Sequence, residues 1–276
     1  MEKLSVKAVI EKIKKRKTFE AVSEDYSFTI KIEKYTHYIC AAIHNGHQFR
    51  KALWENCLLT EYERWYEEDP ATKEMIVNQP IVIAGLDSRF EYDLNRSPEN
   101  AIYTDAWGKK MWKNLLNQKE MDRSLNKHRN FYKVVHALAE AVEVDYGAGL
   151  VYDMHSYNWR RWNRKVPTWN IGTVNIDNEQ FGHFVEVWRK QLAGFSLPHN
   201  IVSNAKINDT FRGNGFFLKY ITEKFKNILV LATELKKVYC DELHQIIYPE
   251  VVAAVRENLD EAIVKNAKRF KRVFID

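Results

Sequence analysis

Cysteine is scarce in this 276-residue chain, and the three present, Cys40, Cys57 and Cys240, show no paired spacing. An odd, scattered set argues against a disulfide framework and against a cysteine-built zinc site. No apolar run is long enough to span a bilayer, and the opening Met1-Glu2-Lys3-Leu4-Ser5 carries no apolar signal core. A dominant charge is also missing. Lys and Arg number 42 against 37 Asp and Glu, a net of +5, which is too small to suggest a nucleic-acid partner by itself. Internal repeats and low-complexity linkers are absent. The default setting is therefore the reducing cytoplasm, with no membrane partner.

What is present is core-forming material. The chain is 45% hydrophobic and 13% aromatic, with eight tryptophans, a composition at odds with disorder. Strand-like and helix-like segments alternate, which predicts an α/β fold in one domain over residues 1–276, three-layered around a mainly parallel or mixed sheet. Helices are expected up to about Lys17, over Phe49–Tyr66, Trp107–Leu116, Asn130–Val144, Glu179–Gly194, Phe217–Lys226 and Leu235–Glu242, and from Pro249 to Lys271. Strands are expected at Tyr26–Ile32, before His44, at Ile81–Ala84, and before His155 and Glu234. Asn158–Asp177 and Asn208–Gly215 read as loops, the first long and rich in Trp, Asn and Arg.

Three apolar runs end on residues suited to metal binding or proton transfer. Tyr38–Ile43 ends at His44, Gly149–Met154 at His155, and Ile228–Thr233 at Glu234. Such runs read as buried parallel strands, and ligands of open α/β sheets bind beyond the carboxyl ends of those strands. Two imidazoles and a carboxylate would then converge. Gly46 permits a tight turn after His44, and His47 is a weaker second imidazole. Asp153 shares a strand face with His155 and suits a carboxylate that fixes its tautomer. Ser156 and Tyr157 add polar groups beside a developing oxyanion. Glu234, ending so apolar a run, is expected to have a raised pKa suited to a base.

Hydrolytic zinc commonly takes two histidines and one carboxylate, leaving a position for water. The acidic run Glu67-Glu68-Asp69 is a source for that carboxylate, although such runs are ordinarily solvated surface. Arg89 and Arg96, and Arg212 in a second loop, offer guanidinium groups for a substrate carboxylate. A different class of function rests on Trp159, Arg160, Arg161, Trp162 and Arg164, whose rings and cations suit a non-catalytic nucleic-acid surface. That reading leaves the three strand-end residues unexplained.

Taken in order, His44-Asn45-Gly46, Glu68-Asp69, Ser88-Arg89, Asp93-Leu94-Asn95-Arg96, Asp153-Met154-His155-Ser156 and Thr233-Glu234-Leu235-Lys236 resemble the N-formylglutamate amidohydrolase family. That family is related in fold to the zinc carboxypeptidases, and the resemblance runs from about His44 to Glu242. It implies a phosphorylase/hydrolase-like α/β fold binding one Zn2+, with His44, His155 and either Glu68 or Asp69 as ligands. It also implies Glu234 as general base and Arg96 as the holder of a substrate carboxylate; Asn95, Arg89 and Arg212 are the further candidates for binding such a small substrate. The implied reaction converts N-formyl-L-glutamate to formate and glutamate. A carboxypeptidase-like or other N-acyl amino-acid deacylase is the alternative within enzymes. One departure stands out: His47 occupies the place of the glutamate in the carboxypeptidase His-x-x-Glu pair.

Overall fold

The computed structural model describes residues 1–276. The chain begins with β1 (Glu2–Leu4), α1 (Val6–Lys14), β2 (Phe19–Ser23), β3 (Phe28–Ile32) and β4 (Tyr38–Ala42). It continues through α2 (Lys51–Trp54), α3 (Glu61–Glu67), α4 (Thr72–Ile76), β5 (Ile81–Gly85), a small hairpin of β6 (Asp105–Ala106) and β7 (Lys109–Lys110), and α5 (Gln118–Tyr146). Then come β8 (Gly149–Tyr157), β9 (Trp169–Gly172), α6 (Asn178–Ala193), β10 (Ala205–Ile207), α7 (Phe216–Lys224) and β11 (Ile228–Lys236). The short pair β12 (Cys240–Asp241) and β13 (Ile246–Ile247) precedes α8 (Pro249–Phe274).

Nine strands form one mixed sheet in the order β1-β2-β3-β5-β4-β8-β11-β9-β10. Its centre, β5-β4-β8-β11, is parallel, and β9 inserts antiparallel beside β11. The even-numbered side chains of β8 and the odd-numbered ones of β11 share the face that meets α6 and α8: Tyr152 donates to Asn266 Oδ1 at 2.8 Å, and Trp188 Nε1 donates to Thr233 at 3.0 Å. The opposite face is covered by α5 and α7, with Val142 pressed against Gly149. The result is a three-layer α/β fold whose core holds 64 buried apolar residues. A smaller cluster of nine, including Phe49, Phe90, Met111 and Trp112, lies beneath the hairpin.

The chain order β4, β5, β8 sends β5 to one side of β4 and β8 to the other. This reversal opens a crevice at the carboxyl ends of β4 and β8, where open α/β sheets bind ligands. His44 lies two residues past β4, and His155 sits within the last turn of pleat of β8.

Several elements depart from expectation for identifiable local reasons. The helix expected over Phe49–Tyr66 is broken into α2 and α3. Thr60 restarts it with a capping box to Glu63, while Cys57 and Leu58 pair with the Met111-Trp112 segment. Trp107–Leu116 is not helical, because Trp107 and Gly108 both adopt positive φ (49° and 76°) and turn the hairpin. Asn117 and Glu120 cap α5 well upstream of Asn130. β11 runs on past Glu234 to Lys236, so no helix follows it. The strands β1, β2, β9 and β10 of the main sheet were not anticipated. β9 hides in the stretch read as a loop because its flanks are polar and only four residues pair.

Candidate active site

The site grows from the turn after β4. Gly46 is obligatory there, since a Cβ would lie 2.2 Å from the Leu86 carbonyl carbon. This close approach holds the turn against the β5 end. His44 is thereby fixed, and its carbonyl accepts from Asp69 N at 3.0 Å, tying the end of α3 to the same turn.

His44, Asp69 and His155 are all buried, and one donor atom from each lies within 4.8 Å of the others. Asp69 Oδ2 is 3.2 Å from His155 Nδ1 and 3.5 Å from His44 Nδ1. Two ligands at ~2.0–2.1 Å from a tetrahedral zinc stand about 3.3 Å apart, so these spacings fit a shared ion. His44 Nδ1 is buried without a hydrogen-bond partner, which a metal would satisfy. Each imidazole is held from behind. His44 Nε2 donates to Asp93 Oδ1 at 2.7 Å, and His155 Nε2 to Asp153 Oδ2 at 3.0 Å. Carboxylates in that position orient a ligating histidine and raise its basicity. Ser156 donates to Asp69 Oδ1 at 3.2 Å and accepts from the Tyr239 hydroxyl at 2.9 Å, so the second Asp69 oxygen is also anchored.

Burial opposes protonation of His155, but Asp153 and Asp69 outweigh it and raise its pKa well above the ordinary range. Burial likewise pushes Asp69 up, and the two histidines bring it down below a normal carboxylate. Glu234 pairs in register with His155 on the neighbouring strand and lines the same cavity. Burial raises its carboxyl to about 8; His155 opposes this while Asp69 and Asp153 add to it.

The other sequence candidates separate. Glu68 turns away from His44 and His155: it accepts from Ser88 Oγ and pairs with His47. Of the acidic pair, Asp69 alone joins the two histidines. His47 is accordingly engaged by Glu68 and, at 3.3 Å, by Glu61. Arg89 lines the cavity, but its guanidinium is committed to Asp93 Oδ2 at 2.7 and 3.1 Å and lies under the Trp107 ring. Asn95 is packed against Gly215 and accepts from Phe217 N at 3.2 Å, joining its loop to the one bearing Arg212. Arg96 and Arg212 are exposed on the cavity wall. The basic segment after β8 is paired within the chain: Arg161 with Glu67 at 2.7 Å, Arg164 with Asp209 at 2.6 Å and Arg160 with Glu242 at 3.4 Å.

Two contributors were not singled out from the sequence. Asp93 was read only as part of a motif, because its partner His44 lies 49 positions away. Asn170, buried in β9 opposite Glu234, secures the Arg212 loop by donating to Phe211 O at 2.8 Å and accepting from Asp209 N at 2.8 Å and Thr210 N at 3.0 Å. The run Trp169-Asn170-Ile171, a polar residue between two apolar ones, was the available signal.

The cavity in front of these groups has a volume of about 630 Å³. No helix of the chain is long and apolar enough to cross a membrane.

Comparison with known proteins shows the family and the fold. The N-formylglutamate amidohydrolase family model matches residues 36–239. A crystal structure of N-formylglutamate amidohydrolase from Ralstonia eutropha JMP134 superposes with a TM-score of 0.71 at 15% identity, covering 89% of this chain and 98% of that one. A gene product of Agrobacterium tumefaciens superposes with a TM-score of 0.66 at 14% identity, covering 87% and 95%. A metallo-carboxypeptidase from Burkholderia cenocepacia reaches only 0.39 at 14% identity, over 88% and 61%, too loose a likeness to weigh. No curated protein matches the sequence. With the family model spanning most of the chain and the fold shared end to end, this protein belongs to the N-formylglutamate amidohydrolase family, hydrolases that act on a linear amide.

Proposed function

We propose that the chain hydrolyses the amide of an N-acyl dicarboxylic amino acid in a metal-dependent reaction, N-formyl-L-glutamate being the substrate that the family's name points to. The observation that carries this reading is the donor spacing. Two imidazole nitrogens stand 3.2 and 3.5 Å from one carboxylate oxygen, and both rings are backed by carboxylates. His44, Asp69 and His155 would hold one divalent ion, zinc by the chemistry of the donor set. Such an ion supplies acidity to a bound water, bringing its pKa toward ~7, and polarises the scissile carbonyl.

The chain's own groups do the rest. Glu234 takes the proton of the attacking water and returns it to the leaving nitrogen, and a carboxyl raised by burial suits both transfers near neutral pH. Arg96 and Arg212 line the cavity and form no internal ion pair, so they are free to receive two substrate carboxylates. Two such anchors orient the amide over the metal ligands. Arg89 holds Asp93, and Asp93 holds His44, so this arginine acts through the ligand set as a positioning residue.

The test is formate release from N-formyl-L-glutamate by zinc-loaded protein, with Glu234→Gln as control. Turnover abolished by chelation and by the substitution is the expected result. A folded, zinc-loaded protein that releases no formate would remove this substrate.

A further inference from the structure

Beside the catalytic cavity lies a second hollow of about 300 Å³, lined by Leu59, Tyr62, Tyr66, Phe90, Trp107 and Leu243 among others. Glu67, Ala106 and Trp107 are walls of both cavities, so the two adjoin along the end of α3 and the β6–β7 hairpin. Trp107 connects them. Its ring lies 5.1 Å from the Arg89 guanidinium on the catalytic side and 5.5 Å from the Phe90 ring in an edge contact. Its positive φ at the hairpin tip sets the indole there, and the small buried cluster beneath fixes the hairpin's base. The carboxylate-binding arginines lie elsewhere, on the loops joined through Asn95 and Gly215.

A formyl substituent, one carbon and one oxygen, is far smaller than this hollow of about 300 Å³. The hollow's long side chains are aromatic or aliphatic, apart from Glu63, Glu67 and Lys109 at its edge. Glu63 and Lys109 pair with each other at 2.6 Å, and Glu67 pairs with Arg161, so no charge is left unpaired there. Apolar pockets bind through buried area, and a dry cavity of about 150 Å³ already accommodates a benzene ring. Flat aromatic walls favour a flat aromatic guest through offset and edge contacts.

We infer that the enzyme also hydrolyses N-arylacyl amino acids, with the aryl group of the acyl moiety seated against Trp107, Tyr62, Tyr66 and Phe90. Water adds across the amide: its oxygen goes to the acyl carbon, the C–N bond breaks, and the nitrogen gains the proton carried by Glu234. The products are an arylacyl carboxylate and the free amino acid. This inference rests on the amidohydrolase reading of the neighbouring site.

The test compares kcat/KM for N-formyl-, N-acetyl- and N-phenylacetyl-L-glutamate, using zinc-loaded wild type and Leu243→Trp. Leu243 lies outside the catalytic machinery, half-exposed in the lining of the hollow, and an indole there narrows it. The expected result is a phenylacetyl kcat/KM about tenfold or more above acetyl, lowered about tenfold by Leu243→Trp through KM, with acetyl unchanged. Calorimetry with the Glu234→Gln protein gives a readout independent of turnover: N-phenylacetyl-L-glutamate binds tighter than N-acetyl-L-glutamate, and Leu243→Trp in that background removes the difference. Formyl turnover with phenylacetyl no better than acetyl would overturn the inference and leave the amidohydrolase reading intact. No turnover of any of the three by folded, zinc-loaded protein would overturn both.

Discussion

One short segment, Asp87 to Asp93, feeds two buried charge clusters of opposite character. Asp87 and Glu91 point to one, where Lys127 donates to both Asp87 oxygens at 2.9 and 3.1 Å and approaches Glu91 at 3.4 Å. Arg50 closes that cluster against Glu91 at 2.7 Å. Arg89 and Asp93 point to the other, toward His44. The first cluster matches two carboxylates with two cations in one ion network. The second assembles Asp69, Asp93, Asp153 and Glu234 around two histidines and one arginine, and turns Nδ1 of both histidines toward one Asp69 oxygen. A buried cluster whose charges are matched serves the fold, whereas one whose donors converge on one point suits a cation. The difference lies in where the lone pairs aim, not in how much charge is buried.

The comparison can be broken from either side. The largest effect is expected from Glu234→Gln, which removes the proton carrier and should lower kcat about 10²–10⁴-fold while metal content stays unchanged. The pH profile gives a second readout. The base works ionised, so the rate should rise with pH through the Glu234 pKa. Burial places that pKa at about 8 before a cation is added, and a bound ion draws it downward. The wild-type acid limb should therefore fall between the ordinary glutamate range and 8, and should vanish in Glu234→Gln.

On the matched side, Lys127→Met leaves two buried carboxylates with Arg50 alone and should cost about 3–5 kcal/mol of stability, measured by denaturant unfolding. Activity per folded molecule should persist. If stability holds and activity falls, the two clusters are not separate in kind.

Smaller effects sharpen the histidine side. Arg96→Ala should remove about 1.5–3 kcal/mol of charged hydrogen bonding, seen as a raised KM for dicarboxylic substrates with little change in kcat. Asp93→Asn should weaken metal affinity about 10–100-fold without unfolding the chain, as read by competition with a chelating dye.

Much of this site was legible because its residues punctuate buried strands. An apolar run interrupted by His155 or ended by His44 is a local signal, and parallel pairing of β4, β8 and β11 brings such signals together. The choice between Glu68 and Asp69 was not legible. Adjacent residues at the end of α3 point in different directions, and only the hydrogen bond from Asp69 N to the His44 carbonyl decides which one faces the histidines. Asp93 escaped for the same reason, its meaning residing in a distant partner. In the fold, Trp107–Leu116 has the apolar content of a helix, but the turn at Trp107-Gly108 and pairing with Cys57 and Leu58 overrode that pattern. β9 is short, and its neighbours in the sheet alone make it a strand.

We propose that His44, Asp69 and His155 together hold one metal ion. Titrating zinc into chelator-stripped protein by calorimetry, in buffers of different ionisation enthalpy, tests it directly. One ion per chain is expected, with proton release because Asp153 and Asp69 favour the protonated form of His155 in the metal-free site, and with loss of that binding in His44→Ala. Binding of equal strength and stoichiometry in His44→Ala, or none in the folded wild type, would contradict it.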